Sequence, residues 1–172
     1  MFAESLVRDA ALKSADSREI RLAMLDARLM AGTSFLMNIP ARYAFERALY
    51  PMRRKGLLDP DALTETMLAC QKEAYQDHLS SWFPHFWSSK LHFYIAGRSF
   101  YNYPYTFGYL FAQLVYRQVL ADGDHAAYVA LLRRTGWDDA ESLAQACLGL
   151  DLTKGETWDL AAAGLAEDLE AF

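Results

Sequence analysis

Hydrophobic positions recur at three- and four-residue intervals along most of the chain. The first run covers Phe2 to Ala11 and ends near Lys13. This spacing is typical of a helix with one buried face, whereas a half-buried strand would alternate every second residue. The sequence contains no convincing run of strands and no internal repeat. The pattern therefore predicts an all-α fold.

A long helical pattern follows from Ile20 to Tyr50. Asp16 or Ser17 precedes it, and either side chain is a suitable N-cap because its oxygen accepts a backbone N–H of the first turn. Pro40 interrupts the pattern with a residue that has no backbone donor. It predicts a kink, or a split near Asn38.

Turn residues separate this helix from the next one. Gly56 is expected to end the long helix, Asp59 to cap its successor and Pro60 to occupy the first helical position. The helix that begins at Pro60 is expected to run to about Gln76. A short helix is expected beyond Pro84, within an irregular aromatic passage.

Helical periodicity resumes at Pro104 and continues to Leu120. Asp124 is the predicted cap of a following helix, which Gly136 closes. Two further helices are predicted in "DDAESLAQACLG" and "GETWDLAAAGLAEDLEAF". With 172 residues, of which 53% are hydrophobic, the chain has the size of one domain spanning residues 1–172.

The net charge of −5 argues against a protein that binds nucleic acid through its phosphates. The basic run Arg53-Arg54-Lys55 lies near a predicted helix end, where cations offset the helix dipole. The longest apolar stretch, residues 30–39, is too short for a membrane span. The charged N-terminus is unlike a secretory signal, so a cytoplasmic location with Cys70 and Cys147 as free thiols is expected.

Familiar metal-binding and hydrolase motifs are missing from the sequence. HExxH, Cys-x-x-Cys and Gly-x-Ser-x-Gly do not occur. Glu73, Asp77 and His78 fall on neighbouring helical positions and are conceivable metal ligands. A solvated helix end is the favoured interpretation because no fourth ligand follows nearby.

Nine phenylalanines and tyrosines crowd the stretch "HFYIAGRSFYNYPYTFGYLF", residues 92–111. Tyr105 and Tyr109 are four residues apart, so both suit one side of a first helical turn. An imidazole from His92 with two phenols is a suitable donor set for an oxyanion or a peptide carbonyl. An aromatic corner of the core, with hydroxyls reaching solvent, is the alternative.

Three longer segments carry a resemblance: "FLMNIPARYAFERALY", "KLHFYIAGRSFYNYPYTFGYLF" and "LLRRTGWDDAESLAQACLGLDLTK". Together they resemble the C-terminal part of oligoendopeptidase F, a zinc metallopeptidase related to thimet oligopeptidase, over essentially all 172 residues. The resemblance implies one helical lobe of an all-helical body that closes over a peptide channel. The family's zinc is held by the two histidines of HExxH and by a glutamate on a later helix.

The resemblance assigns Glu4, in "MFAESLV", to the family's second-shell glutamate, which supports the zinc site. The zinc-ligating glutamate would lie seven residues earlier, before Met1, and HExxH further upstream. This chain is therefore expected to bind no cofactor of its own, whereas the full-length family binds zinc.

The remaining family residues fall within residues 92–111. His92 and Tyr109 match residues that contact the substrate and stabilise the tetrahedral intermediate, and Tyr105 is assigned to the same catalytic group. Tyr101 and Tyr103 are assigned to substrate binding, and either could take the role of Tyr105, because the spacing of this loop varies within the family.

The function implied is that of a C-terminal part of a zinc-dependent oligoendopeptidase that hydrolyses short peptides. Alone it is expected to be inactive, since it lacks the zinc site. Its expected partner in the full enzyme is an oligopeptide substrate, with no nucleic acid and no membrane. The alternatives are a non-catalytic module that binds peptides or a partner, and a homodimer formed through the exposed channel wall.

Metal analysis tests the missing ligand set. Catalytic zinc needs about three protein ligands, so the purified, dialysed chain should contain well under one zinc per molecule. Inductively coupled plasma mass spectrometry gives the ratio. A stoichiometric zinc that a chelator removes would contradict the prediction.

Overall fold

The computed structural model describes residues 1–123 and 125–172, and within them the fold is all-helical. The only β-type contact among these residues is an isolated bridge between Thr135 and Asp138. The α-helices are α1 (Phe2–Lys13), α2 (Arg18–Thr33), α3 (Ile39–Lys55), α4 (Pro60–Ala74), α5 (Phe86–Ser89), α6 (Tyr103–Asp122), α7 (His125–Arg134), α8 (Ala140–Leu148) and α9 (Gly155–Ala171). The all-α prediction is confirmed.

Local capping chemistry sets several of these boundaries. The Ser17 hydroxyl accepts from the Ile20 N–H at 3.2 Å, so Ser17 is a cap at the start of α2. Asp59 accepts from the Ala62 N–H at 2.7 Å and Pro60 is the first residue of α4, as predicted. The predicted cap Asp124 lies outside the described residues.

The irregularity predicted at Pro40 takes the form of a π-helical turn. Residues Ser34–Asn38 are π-helical, and α3 begins at Ile39. Because Pro40 has no N–H to donate to the Leu36 carbonyl, an unbroken α-helical hydrogen-bond pattern cannot pass this point. Ile39 keeps helical backbone angles (φ −65°, ψ −45°), so the chain widens here and does not split.

The end of α4 differs slightly from expectation. The helix ends at Ala74, before the predicted Gln76. Gln76 and Asp77 have φ angles of 51° and 56°, in the left-handed region. A right-handed helix cannot continue through such residues, so they terminate α4.

The described helices form two compact units. The central unit comprises residues 30–107. Its core is built from Phe45, Met67, Cys70 and Phe86, contributed by α3, α4 and α5. Phe93 adds an edge-on ring contact to Phe45, with 4.9 Å between centroids. These contacts fix the aromatic passage after α4 against α3.

The terminal unit comprises residues 1–29 and 108–172. Val115, Val119, Leu131 and Leu148 form its buried cluster, from α6, α7 and α8. Phe2 of α1 packs against this cluster.

Both cysteines are free thiols. Cys70 is buried, Cys147 is half-buried and neither is in a disulfide. Within the part of the chain that the structure describes, no helix combines the length and apolar character needed to cross a bilayer.

The Asp59 cap provides a stability test. Asp59→Ala removes the acceptor of the Ala62 N–H and should lower the free energy of unfolding by about 0.5–2 kcal/mol. Urea unfolding followed by circular dichroism measures the change. Asp16→Ala is the matched control, because Ser17 provides the side-chain cap at the start of α2. Equal losses in the two variants would contradict the capping role.

Candidate functional site

The loop before α6 carries Tyr101, and a buried polar contact anchors it. The predicted Tyr103 and Tyr105 lie in the first turn of α6 and not on the loop. The loop runs from Tyr94 to Asn102, between a 3₁₀ turn (Leu91–Phe93) and α6. The Asn102 side-chain N–H donates to Glu46 Oε2 of α3 at 2.7 Å, and both side chains are completely buried. The Asn102 carbonyl then accepts from the Tyr105 N–H at 3.1 Å, in the first turn of α6. Asn102 thus fixes both the loop end and the helix start.

Three of the predicted residues come together here as a His–Tyr cluster (His92, Tyr101 and Tyr105). The His92 and Tyr101 rings lie 5.7 Å apart and nearly parallel, at 20°. Tyr105 presents an edge to both, at 5.8 Å from His92 and 5.6 Å from Tyr101. Each ring touches the other two, so their orientations are mutually constrained.

The hydroxyl groups of this cluster influence one another. The neighbouring Tyr101 hydroxyl and burial raise the pKa of Tyr105, while the positive charge of Arg42 opposes the shift. Tyr105 therefore remains a protonated hydrogen-bond donor at any pH below its ordinary range. His92 Nδ1 is buried and has no hydrogen-bond partner among the described residues. The cluster offers an imidazole and two phenols to one acceptor, such as a carbonyl oxygen.

Arg42 and Arg98 lie beside the cluster, and the sequence analysis missed both. The Arg98 guanidinium carbon is 5.6 Å from the Tyr101 ring centroid, and the charge of Arg42 acts on Tyr105. The Arg42 guanidinium carbon is 5.3 Å from the Phe86 ring centroid, and Lys90 Nζ is 4.8 Å from the same centroid. Burial lowers the pKa of Arg42, whereas Tyr75 and Tyr105 act in the opposite direction. The guanidinium stays charged at physiological pH. Nothing in the spacing of Arg42 signalled this position, because its neighbours Tyr75, Phe86 and Tyr105 are distant in the sequence.

Tyr103 is not part of the His–Tyr cluster. It is 52% exposed, and its ring lies 5.9 Å from that of Tyr43. As the first residue of α6 it borders the same loop. The structure thus separates the two residues assigned to substrate binding: Tyr101 contacts His92, and Tyr103 contacts Tyr43.

Tyr109 belongs to the terminal unit, and its surroundings there are distinct. It is buried, and it lines a small cavity of about 30 Å³ with Arg8, Arg28 and Asp168. Burial, and then the carboxylate of Asp168, raise its pKa, while Arg28 and Arg8 act in the opposite direction. Tyr109 is therefore a protonated phenol among charged side chains.

Glu4 also belongs to the terminal unit, at the start of α1. Its Oε1 lies 2.6 Å from Arg8, its Oε2 lies 3.8 Å from the N-terminal amine, and its side chain is about half exposed. Exposed ion pairs of this kind contribute little to stability. The structure therefore places Glu4 on the surface of α1, paired with Arg8.

The described side chains do not form a metal-binding group. Among residues 1–123 and 125–172, no three His, Cys, Asp or Glu side chains are grouped so that they could hold an ion. Glu73, Asp77 and His78, the earlier candidates, form no such group. No chemical step is assigned to a metal in this chain.

The chain matches no family model, no curated protein and no solved structure. The resemblance to oligoendopeptidase F therefore rests on the quoted segments alone, and membership of that family stays a prediction.

The Asn102 contact generates a test of the site's framework. Asn102→Ala removes the donor to the buried Glu46 side chain and should lower the free energy of unfolding by about 1–3 kcal/mol, the range for a buried polar group left without its partner. Urea unfolding gives the value. Ser99→Ala, in the exposed part of the same loop, should change it by less than about 0.5 kcal/mol. A loss in Asn102→Ala no larger than this control would contradict the anchoring role.

Proposed function

We propose that this chain provides the C-terminal, substrate-clamping part of an oligoendopeptidase F-like zinc metallopeptidase. The observation that carries the proposal is the contact of His92, Tyr101 and Tyr105 in one cluster. The same three residues occur in the segment that resembles the family's substrate loop. An all-helical fold is consistent with the family's architecture.

In this proposal the cluster binds a peptide carbonyl and stabilises the negative charge that develops on its oxygen. Preorganised donors are effective because they need no reorganisation when that charge appears. The raised pKa of Tyr105 keeps its proton in place as pH rises through the ordinary value of 10.0. The donor would be lost only at higher pH, above the shifted pKa.

The metal and the general base are assigned to residues that this sequence does not contain. HExxH is absent from the 172 residues, and the described side chains offer no ligand set. The proposed role of this chain is therefore to bind and orient the peptide. Hydrolysis would require the metal-binding part of the enzyme.

A second candidate function is a non-catalytic module that binds peptides. Exposed apolar side chains on residues 83–103 favour it: Phe83 is 50% exposed, Leu91 70% and Tyr94 57%. Such side chains suit contact with an extended peptide. The homodimer expected as a further alternative stays a prediction.

Peptide binding tests the clamp. A fluorescein-labelled decapeptide titrated with the chain should show saturable polarisation without cleavage. Tyr105→Phe should weaken binding about two- to tenfold, the equivalent of one lost hydrogen bond. Tyr128→Phe is the control, because it removes a phenol of the terminal unit. Equal affinities in the two variants would contradict the clamp assignment.

Reconstitution separates the two candidate functions. A fragment of oligoendopeptidase F that carries HExxH and the ligand glutamate should restore cleavage when it is mixed with this chain. In that mixture, Tyr105→Phe should lower kcat about ten- to a thousandfold, as expected for a lost transition-state donor. Peptide binding without any restored cleavage would support the non-catalytic module.

A further inference from the structure

Charge is divided unequally between the two units. Residues 30–107 contain eight Lys and Arg against six Asp and Glu, a net charge of +2, and the remaining residues carry −7. All ion pairs among the described residues lie in the terminal unit, for example Arg28 with Asp9 and Asp168. Within the described chain, the cations of the central unit therefore have no carboxylate partner at ion-pair distance. Unpaired cations that gather at one place form a site for an anion.

Three of them gather in a cleft of about 570 Å³ on the central unit. Arg47, Tyr50 and Arg54 lie at i, i+3 and i+7 of α3, on one face of the helix, and Arg53 is adjacent. The loop between the 3₁₀ turn and α6 adds Ser99 and Phe100. These six residues are named the arginine cleft. Among the described residues, no acidic side chain lines it.

Two of the three guanidiniums already have neutral contacts that orient them. Arg53 donates to the Gly56 carbonyl at 3.3 Å. The Arg47 guanidinium carbon lies 6.0 Å from the Tyr43 ring centroid. Neither contact neutralises a full charge, so both arginines remain available to an anion. The planar fork of arginine matches phosphate oxygens two at a time.

The dipole of α3 does not account for this charge. A helix C-terminus carries about half an elementary negative charge, and the last turn of α3 also contains Lys55. Three arginines bring three full positive charges. The positive charge of the three arginines therefore exceeds the negative charge of the helix C-terminus several-fold, and the helix end alone does not explain it.

A rigid aromatic wall borders the same cleft. The Phe100 ring meets Tyr50 edge-on, with 4.9 Å between centroids, and Tyr43 at 6.0 Å. Phe100 holds a φ of 58°, which bulky L-residues rarely adopt. Such backbone outliers concentrate at functional sites, where the surrounding structure maintains them. Here the unusual backbone directs an aromatic ring to the edge of a cationic cleft.

We propose that the arginine cleft binds a small phosphorylated molecule with a planar ring, of the class of nucleoside diphosphates. The guanidiniums of Arg47, Arg53 and Arg54 receive the phosphates, and the Ser99 hydroxyl donates a further hydrogen bond. The face of Phe100, whose edge packs against Tyr50, receives the ring. The cleft volume lies within the range of small-molecule sites, about 300–1,000 Å³. This role is independent of the peptidase function proposed above.

Isothermal titration calorimetry at low salt tests the assignment with four probes: ADP, pyrophosphate, adenosine and succinate. ADP and pyrophosphate should bind saturably at one per chain, with ADP about five- to a hundredfold tighter because its base stacks on an aromatic side chain. Adenosine and succinate should bind more weakly than either. Absence of saturable binding of ADP and pyrophosphate would overturn the proposal, and so would succinate binding as tightly as pyrophosphate.

Variants locate the binding in the cleft. Arg47→Ala and Arg54→Ala should each weaken ADP at least tenfold, and Arg54→Lys should lose less because it retains the charge. Arg133→Ala removes an exposed arginine of α7 and should have no effect. An equal loss in Arg133→Ala would mean non-specific attraction and would overturn the site.

The aromatic wall has its own test. Phe100→Gly keeps a residue that tolerates positive φ but removes the ring. It should lower the affinity for ADP to that for pyrophosphate and leave pyrophosphate binding unchanged. Unchanged ADP binding in Phe100→Gly would contradict the role of the ring.

Discussion

The hydrogen bond between Asn102 and Glu46 is the constraint on which the central unit depends most. It joins two side chains that solvent does not reach, and a buried polar group is costly unless it is hydrogen-bonded. Its geometry joins α3 to a loop residue 56 positions later in the chain. Because the Asn102 carbonyl also accepts the first-turn N–H of Tyr105, the same residue takes part in the start of α6. Loss of this contact would release the loop and the helix start together.

The two candidate sites of the central unit meet at consecutive residues. Phe100 belongs to the arginine cleft, and Tyr101 belongs to the His–Tyr cluster. Asn102, which anchors both, follows directly. The positions of the rings in both sites depend on one short, strongly held segment.

The sequence predicted features that neighbouring residues decide and missed those that distant residues decide. The Asp59 cap was predictable because its acceptor and donor are three residues apart. The sequence analysis grouped His92 with Tyr105 and Tyr109, whereas the structure brings His92 together with Tyr101 and Tyr105. The density of tyrosines in one segment did not show which of them pack on the histidine. Arg42 and the Glu46–Asn102 pair gave no signal, since each depends on helices brought together by packing. At Pro40 the missing donor was recognised, yet whether a helix kinks, splits or widens depends on its neighbours.

Net charge illustrates why a whole-chain average cannot describe a local site. The value of −5 argues against binding along a nucleic-acid backbone, because such binding needs many cations spread over an extended surface. A small phosphorylated ligand responds only to charges within about one Debye length, roughly 8 Å at physiological ionic strength. Arg47, Arg53 and Arg54 line one cleft, whereas the recorded ion pairs all lie in the other unit. The acidic average and a cationic cleft therefore coexist without conflict, and the cleft would favour compact anions over polymeric ones.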